Sequence, residues 1–256
     1  DSRGFMWFGT QNGLNRFDGY SFEVYIYKPN DSTSISNNWI YSITEDHQGN
    51  LWIGTKGGLN RFLFKEKRFE RIHYSTPYHG NVTEYVYDVK TGDDGSVMIN
   101  TPPVLSFCDP EKMTFRHFIS PVPSDESVKD WNIPLLQDPD GKIWIGSPNG
   151  LACFHPVSKK FEIFSPDLPP TFNLHNQLIS ALFRDSQGNL WIGTPSGLYR
   201  YRENDKSLFI YRNIPGDSYS LSNNFIRAIT EDSSGKLWIA TEGGGLNVFT
   251  QNPSGK

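Results

Sequence analysis

Six histidines, at 47, 73, 79, 117, 155 and 175, are the first residues to weigh for chemistry. None are spaced i, i+2 or i, i+4, the intervals that let two imidazoles share a metal ion. The chain has no Gly-x-Ser-x-Gly elbow and no phosphate-binding glycine loop. No catalytic residue, metal ligand or cofactor is therefore expected. Glu45 and Glu231 could act as acids or bases, but each stands just before an Asp that recurs along the chain. That recurrence gives them a structural role first. What is left is recognition chemistry. Trp39, Tyr78, His79, Tyr85, Trp131 and His175, together with Phe225, lie among Asn, Asp and Gln. A flat ring meets the C–H face of a sugar while neighbouring amides bond its hydroxyls. Trp39, Trp131 and Phe225 also fall seven residues before a recurring Asp, which suits packing between repeats. Tyr78, His79, Tyr85 and His175 show no such phase.

The elements that must position these residues are six copies of one phrase: an Asp, two residues, a Gly, two residues and a large apolar side chain. They read Asp1-Ser2-Arg3-Gly4…Trp7, Asp46…Gly49…Trp52, Asp93-Asp94-Gly95…Met98, Asp138…Gly141…Trp144, Asp185…Gly188…Trp191 and Asp232…Gly235…Trp238. Anchors at 7, 52, 98, 144, 191 and 238 give a period in the mid-forties. A period of that length, built from strand-like segments, predicts an all-β propeller of four-stranded antiparallel blades.

The second copy shows how the period becomes a blade. Ile40–Thr44 alternates as a half-buried strand, and Asp46-His47-Gln48-Gly49 is a turn whose Gly supplies positive φ. Leu51–Thr55, Leu59–Phe62 and Phe69–Tyr74 complete four strands. The Trp is assigned to the gap between blades. The Gly that follows it (Gly9, Gly54, Gly146, Gly193) leaves room where blades crowd together.

Strands are expected in groups of three, four, four, four, four and three. Blades cover about 1–30, 38–78, 84–120, 131–168, 177–214 and 223–256, the first and last incomplete, in one propeller segment over 1–256. The turn Asp at residue 1 and the stop after Phe249 read either as a piece of a larger ring or as a strained ring closed with two incomplete blades. The long connections at 28–39, 75–85, 119–132, 165–177 and 213–224 should share one end with the short turns between second and third strands. Cys108 and Cys153 sit one position out of phase in equivalent strands, which predicts opposite sheet faces and no disulfide.

Composition narrows the partners. Aromatic residues make up 14% and hydrophobic residues 36%, a balance suited to thin sheets with large rings between them. With 24 basic and 28 acidic residues and no basic cluster, neither nucleic acid nor an anionic membrane surface is an expected partner. No run approaches the roughly 18 apolar residues of a membrane span.

The phrase also separates propeller types. Sialidase-type Asp boxes step two residues from Asp to Gly, whereas this chain steps three; the Gly-His…Trp-Asp signature of WD40 repeats is missing, and kelch repeats run nearer 50 residues. The pattern I-x-x-D-x-x-G-x-[LI]-W-I-G-T-x-x-G-L-x-x-[FY], over Thr44–Phe62, Leu136–Phe154, Phe183–Tyr201 and Thr230–Phe249, with Asp1–Phe17 as a shorter copy, resembles the two-component regulator propeller. The segment Asp31–Ile40 is echoed by Asp217–Ile226.

That resemblance implies the periplasmic sensor region of a hybrid histidine kinase receptor of gut Bacteroidetes, with a ring of seven blades. It implies oligosaccharide ligands, further blades and downstream domains of the same polypeptide, and a homodimer formed through the intact receptor. The reading is a non-catalytic sensing or interaction propeller. A carbohydrate-active lyase or glycoside hydrolase on the same ring is the alternative, and a pure protein-interaction scaffold is a third. The third repeat departs from the pattern: Met98 replaces Trp, Asn100 replaces Gly, and Thr101-Pro102-Pro103-Val104 replaces the glycine turn. It reads either as drift or as a specialised contact surface, with the prolines on an edge or loop.

Overall fold

The computed structural model describes residues 1–76, 85–122, 133–165, 174 and 176–250. Tyr78, His79, Trp131 and His175 lie outside them. The fold is an all-β propeller of six blades, and the described regular elements are all strands. They fall into two compact units, Asp1–Ser120 and Pro121–Lys256.

In the first unit, blade 1 has β1 (Met6–Thr10), β2 (Gly13–Phe17) and β3 (Phe22–Tyr25). Blade 2 has β4 (Ile40–Glu45), β5 (Leu51–Thr55), β6 (Gly58–Leu63) and β7 (Arg68–Ile72). Blade 3 has β8 (Asp88–Thr91), β9 (Val97–Thr101), β10 (Val104–Asp109) and β11 (Thr114–Ile119). In the second unit, blade 4 has β12 (Leu135–Gln137), β13 (Ile143–Ser147), β14 (Gly150–His155) and β15 (Lys160–Ile163). Blade 5 has β16 (Ala181–Arg184), β17 (Leu190–Thr194), β18 (Gly197–Arg202) and β19 (Ser207–Tyr211), and blade 6 has β20 (Ile226–Glu231), β21 (Leu237–Thr241) and β22 (Gly245–Phe249). Each blade is an antiparallel meander in chain order.

The repeated Asp does more than close a turn. Asp46 Oδ1 accepts the N–H groups of Gln48 and Asn50, each at 2.9 Å, while Oδ2 accepts the Trp52 indole N–H at 2.8 Å. The same carboxylate-to-indole bond joins Asp1 to Trp7, Asp138 to Trp144, Asp185 to Trp191 and Asp232 to Trp238, at 2.7 to 2.8 Å. One side chain thus fixes the turn and orients the ring that glues the blades, satisfying an indole donor that burial would otherwise strand. At Asp232 the hydroxyl of Ser234, the Trp238 indole and the Lys236 N–H hold the carboxyl well below the usual carboxylate range.

The rings go where the period placed them. Trp52 packs with Leu59 against Val86, Val89, Val97 and Ile99 of blade 3, and Trp144 with Leu151 against Ile179, Leu190 and Ile192 of blade 5. Trp191 and Leu198 meet Ile226, Ile229 and Ile239 of blade 6. Burying about 200 Å² of indole at about 25 cal/mol/Å² is worth about 5 kcal/mol as an upper figure. The glycines after these rings are required by contact. A Cβ on Gly54 would lie 2.6 Å from the Val86 carbonyl oxygen, and one on Gly193 would lie 2.7 Å from Ile226. Cys108 faces the blade 2 side of its sheet and Cys153 the blade 5 side of its own; both are free and buried, and burial pushes each thiol up to about 12.

The third repeat needs a correction. The turn bonds that Asp46 and Gly49 make in blade 2 are made in blade 3 by Gly92 and Gly95: Gly92 N donates to Ser96 O at 2.8 Å and Gly95 N to Gly92 O at 2.9 Å. The position of the anchoring Asp is therefore Gly92, not Asp93 or Asp94. Asp94 instead binds Ser96 through its backbone N–H and hydroxyl. Pro102 and Pro103 form the two-residue turn between β9 and β10, where their missing N–H groups interrupt no ladder.

Candidate functional site: an aromatic and lysine cluster on blades 2 and 3

The connection before β4 is a rigid loop whose polar side chains serve the backbone. Asp31 Oδ1 accepts from the Thr33 N–H and hydroxyl, and Ser34 Oγ accepts the Lys28 N–H at 3.0 Å. Ser36 and Asn60 bond reciprocally: Ser36 N donates to Asn60 Oδ1 at 2.9 Å, and Asn60 Nδ2 donates to Ser36 Oγ at 2.8 Å. Asn37 Oδ1 accepts the Trp39 N–H, and Asn38 Oδ1 accepts the Tyr27 N–H. Ile35 is the fully buried plug beneath. The Lys56 N–H then donates to Trp39 O at 3.1 Å, so the β5–β6 turn and the long connection meet at one end of the blade.

Four rings gather at that end. Tyr41 lies 6.4 Å from Trp39, 6.4 Å from Tyr85 and 5.2 Å from Tyr87 between ring centroids. The Lys56 ammonium sits 4.7 Å from the Trp39 ring centre and 5.4 Å from that of Tyr85. Trp39, Tyr41 and Tyr85 are half-buried, and Tyr87 is buried. Of the described members of the sequence-derived set, the structure thus brings Trp39 and Tyr85 together, leaves Phe225 apart on blade 6, and adds Tyr41, Tyr87 and Lys56. Rings of this kind stack on a sugar face, and an ammonium donates up to three hydrogen bonds to hydroxyls or a carboxylate.

With Gly92 as the anchor, Tyr85 proves to stand seven residues ahead of its turn, as Trp39 and Phe225 do ahead of theirs. It belongs to the repeating column after all. The missed signal was the turn glycine, Gly95, which keeps phase where the Asp does not. Tyr41 and Tyr87, each two residues on, follow from the same alignment.

The echoing loop before β20 repeats the scaffold with different chemistry at its tip. Ser222 and Asn247 bond reciprocally, Asn223 Oδ1 accepts the Phe225 N–H, and Asn224 Oδ1 accepts the Asn213 N–H. Where the first loop presents Trp39, Tyr41 and Lys56, this one presents Phe225, Arg227 and Glu242, with Arg227 over the Phe225 ring and ion-paired to Glu242.

The two suspect carboxylates are engaged in joining blades. Glu45 accepts the Ser2 N–H at 2.7 Å and the Ser2 hydroxyl, and Glu231 accepts the Ser186 N–H at 2.8 Å and the Ser186 hydroxyl at 2.7 Å. Between blades 4 and 5 the residue in that serine's place is Pro139 of blade 4, which has neither donor, and the residue in the glutamate's place is Arg184 of blade 5. Arg184 reaches the Asp138 carboxylate instead. Among the described residues, no group of three His, Cys, Asp or Glu side chains is placed to hold a metal ion, and no helix is long and apolar enough to cross a membrane.

A family model described as two component regulator propeller matches residues 34–57, 173–196 and 220–243. Each match runs through a connection, a turn and the Trp strand or its approach. The chain carries two-component regulator propeller repeats. A 36-residue stretch of this regulator propeller, 14% of the chain, is 56% identical to histidine kinase P4 of Formosa agariphila, of which it spans 3%. Among solved structures, it is similar to the extracellular domain of the hybrid two component system BT3049 of B. thetaiotaomicron: 25% identity, TM-score 0.66, over 99% of this chain and 39% of that one. The extracellular domain of BT4673 from the same organism shares the fold at 22% identity and TM-score 0.66, over 97% of this chain and 37% of that one. Streptogramin B lyase shares the fold at 16% identity and TM-score 0.68, over 97% of this chain and 77% of that one. The regulator propeller therefore spans under half the length of the two-component domains it matches.

Proposed function

We propose that this regulator propeller is a periplasmic ligand-sensing module of a hybrid two-component receptor, responding to oligosaccharides and performing no chemistry itself. The observation that carries the reading is the ring cluster around Lys56, built on a loop whose own polar groups are engaged and so presenting a preorganised surface. The likeness to extracellular domains of hybrid two component systems supports the compartment and the receptor context. A ligand bound here acts only through unequal affinity for two arrangements of the receptor, passed between its chains in a homodimer to the kinase.

The lyase likeness is one of fold. A lyase or hydrolase also needs an available acid or base, and Glu45 and Glu231 are each occupied by a serine.

Calorimetry of the intact sensor region against a panel of glycan oligosaccharides tests the reading. At least one should bind, and Trp39→Ala combined with Tyr85→Ala should weaken it tenfold or more, about 1.4 kcal/mol. An absence of binding across the panel, or cleavage of any member, overturns it.

A further inference from the structure

Three blades place an Arg on the strand opposite their Trp: Arg16 faces Trp7, Arg61 faces Trp52 and Arg200 faces Trp191. In the first two, the next strand supplies a Glu in register. Arg16 pairs with Glu23 at 2.5 Å and Arg61 with Glu70 at 2.6 Å. In blade 5 the registered residue is Phe209. Arg200 is the most buried of the three, 4% exposed, and among the described residues its guanidinium has no hydrogen bond or ion pair, with Nε wholly buried.

Rings compensate part of the charge. The guanidinium carbon lies 4.6 Å from the Phe209 ring centre, 5.7 Å from Trp191, 5.9 Å from Tyr211 and 6.0 Å from Phe249. Such contacts act on the cation's faces; the N–H donors lie in its plane, and among the described residues the buried Nε meets no acceptor. A guanidinium does not deprotonate to escape burial. Arg200 lines a cleft of about 270 Å³ between blades 5 and 6, together with Lys236 and Gln187, which are exposed. The cleft's carboxylates are committed elsewhere: Asp185 to the Trp191 indole and Asn189, Glu231 to Ser186.

We propose that this cleft binds a small carboxylate, with Arg200 as its buried anchor and Lys236 at its mouth. A carboxylate's planar fork matches a guanidinium edge. The committed carboxylates of Asp185 and Glu231 nearby disfavour a doubly charged phosphate. This site is separate from the ring cluster and does not depend on the sensing role.

Calorimetric titration of the whole chain with glucuronate tests it, with glucose as the uncharged counterpart and inorganic phosphate as the rival anion. Glucuronate should bind at least tenfold tighter than either. Phe209→Glu restores the registered carboxylate that Arg61 enjoys, so it should keep the fold, by an unchanged melting profile, and lose at least tenfold in glucuronate affinity. Arg200→Gln should lose it as well. Failure of glucuronate to bind, tighter binding of phosphate, or undiminished binding by folded Phe209→Glu would overturn the assignment.

Discussion

In blade 2 the turn between the first two strands is held by Asp46, which binds the Trp52 indole; in blade 3, packed against it, Gly92 takes the place of the Asp and Met98 that of the ring. Both partners of the bond are missing together. A buried indole N–H without its carboxylate, or the carboxylate without its donor, would leave a polar group stranded, whereas the pair Gly and Met leaves none. The glycine after the ring differs in parallel: Gly54 in blade 2, Asn100 in blade 3. The turn glycine Gly95 stays, and blade 6 keeps the Asp232–Trp238 bond with Ala240 in place of the glycine after the ring, so it is the Asp–Trp pair that is kept or lost as a unit.

The largest expected effect comes from the ring itself. Trp52→Ala should cost about 3–5 kcal/mol in urea unfolding, at the top of the range for large-to-small core changes, and Met98→Ala should cost less. Equal costs would mean the two blades are not fastened differently. Next comes Gly54→Ala, which drives a Cβ to 2.6 Å from a backbone oxygen of blade 3 and should cost about 1–3 kcal/mol. A neutral result would show that the interface yields easily. A double-mutant cycle of Asp46→Ala with Trp52→Phe should give a coupling of about 1 kcal/mol, against a value near zero for Gly92→Ala with Met98→Leu.

The smallest effect is a pH dependence. Asp232 is the blade 6 equivalent of Asp46, and its carboxyl is held down by Ser234, Trp238 and Lys236. Its folded pKa lies below its unfolded one, so its contribution is complete above the ordinary carboxylate value and fades as pH falls through the folded one. The melting-temperature advantage of the native chain over Asp232→Asn should hold from pH 7 to 5 and shrink below about pH 4. A constant difference down to pH 2 would show that the charge contributes nothing there.

Strand order, blade membership and the role of the Trp were legible because each follows from local rules. Alternation marks strands, Asp and Gly mark the turn, and the 45- to 47-residue recurrence of one ring marks the interface. Observed strands fall in groups of three, four, four, four, four and three, as that reading requires. The candidate site was legible only in part. Trp39 and Tyr85 stood out by type, but Tyr85 looked unphased because Asp93 and Asp94 drew the alignment off Gly92. Lys56 carried no signal of its own in a short polar turn. Arg200 carried no signal in the sequence until the register placed Phe209, not Glu, beside it.

The chain's periodicity by itself determined the blades and what fastens them, since turn chemistry and side-chain alternation act over a few residues. Tertiary structure alone decided which rings meet a lysine and which arginine lacks a carboxylate. Those depend on strand register and on which neighbouring blade a side chain meets, across gaps of tens of residues.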